Sequence, residues 1–391
     1  MTNNSSYFLP ENGSPNYVFS KKSGDWSVQQ YQVVAHVAKE ISTRSHLGLR
    51  INYWGLLPSR VIDTRNGQKN LHIETALSYT YSITSTSSIS LGGGYDRNKI
   101  QPNFNNKYQH SSTDNLYNLY INAGMASYIK KDNMPHLEQM QVQWNMGGQY
   151  LYHSQKSIYS LIAQLASGED YIEDRMITSN SLSNKVVGYK YKKYAMSLLS
   201  NNQFGQYKLI HNLGYTYTDG KGKMINELSN QYTQNYLYER THIQFQSLLN
   251  FPSCSMFKNI SFHANYSSEN KRDRAYAVKE KIQYVDISAL STLQKRFRKT
   301  ALEFHAGASF YKPLTVRYHV GAAEDNIYTQ WIGKPNNGYY AAESFAIPMG
   351  LRLKQKIKNT LLDFSVEGSW NKNIVTKSSR FYTACALRLL Y

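Results

Sequence analysis

The last eleven residues, Phe381-Tyr-Thr-Ala-Cys-Ala-Leu-Arg-Leu-Leu-Tyr391, constrain the fold more than any other stretch. Counted in twos from Tyr391, one register holds Tyr391, Leu389, Leu387, Cys385, Thr383 and Phe381. The other holds Leu390, Arg388, Ala386, Ala384 and Tyr382. One register is apolar with an aromatic at its end; the other is mixed and carries a charge. A period of two is that of a β-strand whose faces meet two different surroundings. An aromatic closing such a strand sits where an interfacial girdle residue would sit.

The same alternation recurs along the chain. From Leu71 to Ile83 the odd positions read Leu71, Ile73, Thr75, Leu77, Tyr79, Tyr81 and Ile83, against His72, Glu74, Ala76, Ser78, Thr80 and Ser82. Met140, Val142, Trp144 and Met146 alternate with Gln141, Gln143 and Asn145, and the pattern returns over 207–217, 243–251, 260–266, 302–310, 345–353 and 362–370. Strands of this length cross a bilayer when tilted. No apolar run is long enough for a transmembrane helix, and alternating strands leave the average polar, as in the mean hydropathy of −0.56. The 34 Tyr against 5 Trp and 14 Phe suit surfaces apolar along the ring and wet at its tip.

Connections alternate in length. Short ones fall at 85–87, 201–203, 298–299 and 358–359, and longer polar ones at 55–69, 99–113, 154–185, 220–236, 270–280, 312–342 and 371–379. Tight turns at one rim and long loops at the other are the build of an outer-membrane barrel with its turns in the periplasm. The expected fold is all-β: a transmembrane antiparallel up-and-down β-barrel of about 14–16 strands. Counting from Trp26 gives about fifteen strands, and since even counts are the norm, either 16–20 supplies one more or one of the fifteen is not a strand. Residues 1–16, with Pro10, Gly13 and Pro15, read as an irregular segment and 17–391 as one barrel domain. The opening residues carry neither the basic nor the apolar region of a signal peptide, so a cell outer membrane location implies an export signal outside this sequence.

The net charge of +18 would suit nucleic acid, but the cations are dispersed, and no zinc spacing, helix-turn-helix pattern or RNA-binding aromatic motif accompanies them. Phosphates of outer-membrane lipid and lipopolysaccharide, or anionic solutes, match this charge; Lys271, Arg272, Arg274, Lys279 and Lys281 at the outer rim read either as meeting lipopolysaccharide phosphates or as a solvated charge run. Cys254 and Cys385, in a turn and in mid-strand, suit neither a disulfide nor a metal site. Gly92, Gly93 and Gly94 sit inside a strand and not before a helix, so they mark bending or close approach rather than a phosphate cradle. No cofactor or metal is expected.

With the apolar register facing lipid, Glu303, Arg352, Lys354, Asp363, Glu367 and Arg388 fall in the lumen on neighbouring strands. They read as a structural ion network or, failing that, a selectivity constriction. The 312–342 loop carries Tyr318, Tyr328, Trp331, Tyr339 and Tyr340, a density of aromatics that suits a folded constriction or a binding surface. His263 and His305 share the lumen register, and His305 lies two residues from Glu303, the raw material of a hydrolase site.

The terminal strand, the Tyr-rich alternation and the sorted loops resemble a bacterial outer-membrane β-barrel, with an Asn/Lys/Tyr-rich style similar to barrels of Bacteroidota. The resemblance is architectural. No motif ties the chain to porins, lipases, proteases or TonB-dependent receptors, and the last also need a plug domain for which these residues leave no room. It implies a non-enzymatic channel or transport protein for small solutes. Two alternatives stand beside it: a non-conducting accessory or adhesion barrel partnered with other envelope proteins, and a membrane-embedded hydrolase.

Overall fold

The computed structural model of the chain describes residues 16–18, 26–60, 67–103, 119–122, 128–131, 137–174, 185–226, 231–252, 256–274, 277–298, 300–321, 338, 340–357, 360–374, 377 and 379–390. Cys254, Tyr328, Trp331, Tyr339 and Tyr391 lie outside these, as does the side chain of Arg388.

The strands are β1 Asn16–Val18, β2 Trp26–Ser42, β3 Ser45–Arg60, β4 Gly67–Ser82, β5 Ser87–Asn103, β6 Leu119–Asn122, β7 Tyr128–Lys131, β8 Leu137–His153 and β9 Ser157–Asp174. They continue as β10 Lys185–Phe204, β11 Tyr207–Asn226, β12 Gln231–Asn250, β13 Phe257–Asp273, β14 Val278–Phe297, β15 Thr300–His319, β16 Ser344–Ile357, β17 Thr360–Asn373 and β18 Ser379–Leu390. Fifteen of them form one antiparallel meander in chain order from β2 to β18, with β5 paired directly to β8. The other three, β1, β6 and β7, make a separate small sheet in which Asn16 faces Ile121. The segment that the count had offered as an extra barrel strand thus pairs with an excursion between β5 and β8.

The strands are longer than the alternation suggested, and several expected loops shrink. Among the described residues, the expected 154–185 loop is mostly β9, preceded by a tight turn at 154–156. In β9 the apolar contrast is blurred, because Ile158 and Ile162 stand in one register while Tyr159, Leu161 and Leu165 stand in the other. The turn expected at 201–203 lies further along, at Gly205-Gln206, where Gly205 takes φ +59°, a backbone conformation that glycine adopts without steric cost. At the opposite rim β11, β13 and β15 run on through polar residues to Asn226, Asp273 and His319. Backbone pairing continues there after the apolar band has ended, which a hydrophobicity pattern cannot register.

The outward face is the apolar register. Leu91, Trp144 and Phe204 are 62%, 64% and 61% exposed, values that only a lipid-facing position makes sensible for such side chains. Most outward aromatic contacts lie toward the two rims, with Phe245–Phe262 (6.3 Å) between them. Tyr152–Tyr159, Tyr207–Phe251 and Phe251–Phe257 (ring centroids 6.2, 5.9 and 5.7 Å apart) lie near the short turns. Tyr31–Tyr53, Tyr95–Trp144 and Tyr194–Tyr217 (5.9, 4.5 and 6.2 Å) lie nearer the other rim. On β8 the path from Trp144 to Tyr152 covers about 26 Å of strand, which suits the apolar band of a transmembrane barrel.

Because the meander has an odd number of strands, β2 and β18 run in the same direction, both toward the short-turn rim. They do not pair with each other among the described residues. Antiparallel cover for both edges takes an odd number of further strands, and in a bilayer an uncovered edge is costly.

Candidate functional site

The inward face carries polar side chains at three levels. Near the short-turn rim, β15, β16 and β17 bring four of the six charged residues expected in the lumen into contact. Arg352 donates from Nε to Oδ1 of Asp363 at 2.7 Å, and its second nitrogen reaches Oδ2. Lys354 Nζ donates to Oε1 of Glu303 at 3.3 Å. Glu303 and Asp363 are buried (6% and 5% exposed), so their charges depend on these cations. Glu367 points into the lumen further up β17 and is exposed, and Arg388 stands opposite Asp363 in the β17–β18 register.

The closest cation to Glu303 is one that alternation had hidden. Lys258 Nζ donates to Oε1 of Glu303 at 2.8 Å. Strict alternation from Ile260 would turn Lys258 toward lipid, but the β13–β14 register slips between Phe257 and Asn259. The extra residue is a bulge, and it rotates the Lys258 side chain into the lumen. The phase slip between Phe257 and Ile260, both apolar and both outward, is its trace in the sequence.

Higher up, a belt of side-chain hydrogen bonds runs from strand to strand across β2 to β10. Gln32 donates to Asn52 (2.9 Å), Asn52 to Glu74 (3.1 Å), Asn98 to Gln141 (2.8 Å), Gln141 to Asp170 (3.2 Å) and Tyr191 to Gln143 (2.9 Å). Arg50 approaches Glu74 at 3.7 Å, and His72 approaches Asp96 at 3.5 Å while stacking on Trp54 with centroids 5.0 Å apart. These residues share one face because each is two or four positions from the next inward residue on its strand.

Near the long-connection rim, Lys271 turns inward between Glu269 and Glu280, with Nζ to Oε2 of Glu280 at 3.0 Å. This corrects its expected place in the outer basic run, since residues 271 and 272 face opposite sides of β13. The end of the 312–342 segment folds against this cluster. Tyr311 donates from its hydroxyl to the backbone oxygen of Tyr340 at 2.8 Å, and its ring packs at a tilt against Tyr284 with centroids 5.1 Å apart. Burial pushes the Tyr340 hydroxyl up to about 12, against the opposing pull of Lys271. Tyr318 is half-buried on β15, in register with Glu280.

His263 and His305 both lie in the inward register, and His305 seats its ring on Gly350, whose missing Cβ leaves the room. Among the described residues no hydrogen bond joins either histidine to an acid.

The fold is shared with solved outer-membrane barrels. The ferric citrate transporter FecA in its unliganded form is 10% identical with a TM-score of 0.55, covering 94% of this chain and 56% of its own. The copper transporter OprC is 7% identical (TM-score 0.51), covering 92% of this chain and 64% of its own. The siderophore receptor PiuA from Acinetobacter baumannii is 12% identical (TM-score 0.51), covering 94% and 64%. This chain therefore spans less than two thirds of the length of these transporters and receptors. No curated protein matches its sequence. The family model that matches, over residues 2–391, is DUF6850, and the chain belongs to that family of unknown function.

Proposed function

We propose that this chain forms the wall of a transport barrel in the bacterial outer membrane and that small solutes pass along its polar inner face. The observation that carries the reading is the division of one sheet into two faces. The outward face is an apolar band bordered by aromatics, and the inward face is lined by charged and amide side chains at three levels. A face that met only packed protein would not need charges at every level. The likeness in fold to outer-membrane transporters and receptors supports the same reading.

In this reading the Lys258, Glu303, Lys354, Arg352 and Asp363 cluster sets ion preference at the short-turn end. Three cations meet two buried carboxylates there, so the local balance is positive. Conductance of the purified barrel in a planar bilayer under a salt gradient tests it. Steps with anion preference are expected. Lys258→Met with Lys354→Met, which strips Glu303 of its cations, should move the reversal potential toward cations by a measurable amount. A folded barrel that never conducts would reject the channel and favour a non-conducting accessory barrel. That second reading has its own support in the Tyr340 segment, which folds onto the inner wall at the mouth.

A further inference from the structure

Where β13, β14 and β15 reach the long-connection rim, their outward face carries a grid of cations. The register sets Arg272 opposite Lys279 and Lys279 opposite His319; two residues down each strand, Asn270 faces Lys281 and Lys281 faces Arg317. All belong to the register of the exposed Ile260, Phe262 and Ile287, and the five basic residues are exposed. Together with Glu280 and Tyr318 they border an open cleft of about 280 Å³. Glu280 is engaged on the other face by Lys271. The outward carboxylate beside the grid, Glu239, accepts a hydrogen bond from Asn270 at 3.1 Å. Among the described residues no carboxylate pairs with Arg272, Lys279, Lys281 or Arg317.

Like charges set directly opposite on antiparallel strands destabilise the pairing. Here that happens twice, at Arg272–Lys279 and at Lys281–Arg317. Neighbouring strands about 4.8 Å apart bring such cations close enough to share one phosphate group, and arginine grips phosphate through two parallel hydrogen bonds.

Height selects the anion. Tyr266 and Val285 pair at the upper edge of the apolar band. Lys281 and Lys279 stand four and six residues beyond Val285, about 10 and 15 Å higher once a strand tilt of about 40° is allowed for. A phospholipid headgroup layer extends only about 5–8 Å past the hydrocarbon. The backbone positions that carry these cations therefore lie above simple phospholipid phosphates, at the level of a taller headgroup made of phosphorylated sugars.

We infer that this grid binds the phosphates of the outer-leaflet glycolipid, lipopolysaccharide, from outside the barrel. The inference rests on the outer-membrane placement but not on conduction, since the site lies on the face away from the lumen. The test is binding of lipopolysaccharide, its enzymatically dephosphorylated form, phosphatidylglycerol and inorganic pyrophosphate to the purified full chain in detergent, read by native mass spectrometry. Native lipopolysaccharide should bind most tightly, and loss of its phosphates should weaken it by about ten-fold or more. Lys279→Gln with Lys281→Gln and Arg317→Gln should weaken it comparably while leaving heat-modifiable migration and conductance unchanged; Lys281→Gln alone should give an intermediate loss. Equal binding by the triple variant, or by the dephosphorylated lipid, overturns the site. Equal binding of phosphatidylglycerol overturns the glycolipid assignment, and equal binding of pyrophosphate makes it a free-anion site instead.

Discussion

Asp363 is held by both guanidinium contacts of Arg352 and is 5% exposed. Removing one member of such a pair leaves the other charged without a partner, which costs more than the pair itself is worth. Asp363→Ala should lower stability by about 2 kcal/mol, a value discounted because the Arg352 side chain is partly open to the lumen. Arg352→Met together with Asp363→Leu should recover most of that loss, as read by the temperature at which the folded form disappears in heat-modifiability gels. Residues such as these were legible in the sequence because each sits in the lumen register with an opposite charge on the next strand. Lys258 was not, since a single inserted residue reverses the face to which its side chain points.

At the level of the strand, the bulge at Lys258 is a defined and testable device. Phe257 faces Leu293 and Asn259 faces Thr292, so deleting Lys258 would leave an uninterrupted ladder with every later residue in its present register. The deletion should fold, keep Ile260 and Phe262 facing outward, and lose the ion pair to Glu303 together with the hydrogen bond that the Phe251 N–H donates to the Lys258 carbonyl at the β12–β13 turn; a shift in conductance without a fall in folded yield is the expected result. If yield collapses instead, the bulge is a folding requirement and not a positioning one. Strand existence was readable wherever the two registers differed in polarity. It was missed in β9, where both registers carry apolar residues, and at the outer ends of β11, β13 and β15, where pairing outlasts the apolar band.

For the molecule as a whole, the Tyr340 segment folds onto the inner wall beside Lys271, Glu269 and Glu280, and in the proposed channel it is the element that narrows the mouth. The ordinary tyrosine value is 10.0 and burial raises Tyr340 to about 12, so its neutral form stabilises the folded-in segment fully below pH 10.0 and loses that effect as pH rises through about 12. Conductance steps should therefore enlarge between those pH values in the native protein, while Tyr340→Phe, which has no proton to lose, should keep the smaller steps. The sequence by itself determined the class of fold, the two-faced wall and the side on which most charges fall, because side chains of a strand alternate whatever their partners are. It could not determine which strands are neighbours across an excursion, as with β5 and β8, nor where the count ends. Only the tertiary structure decided that Lys258 and Lys271 face inward and that Arg272, Lys279, Lys281 and Arg317 meet on one outward patch. Those facts depend on register and bulges between strands, which are set by pairing partners far away in the chain.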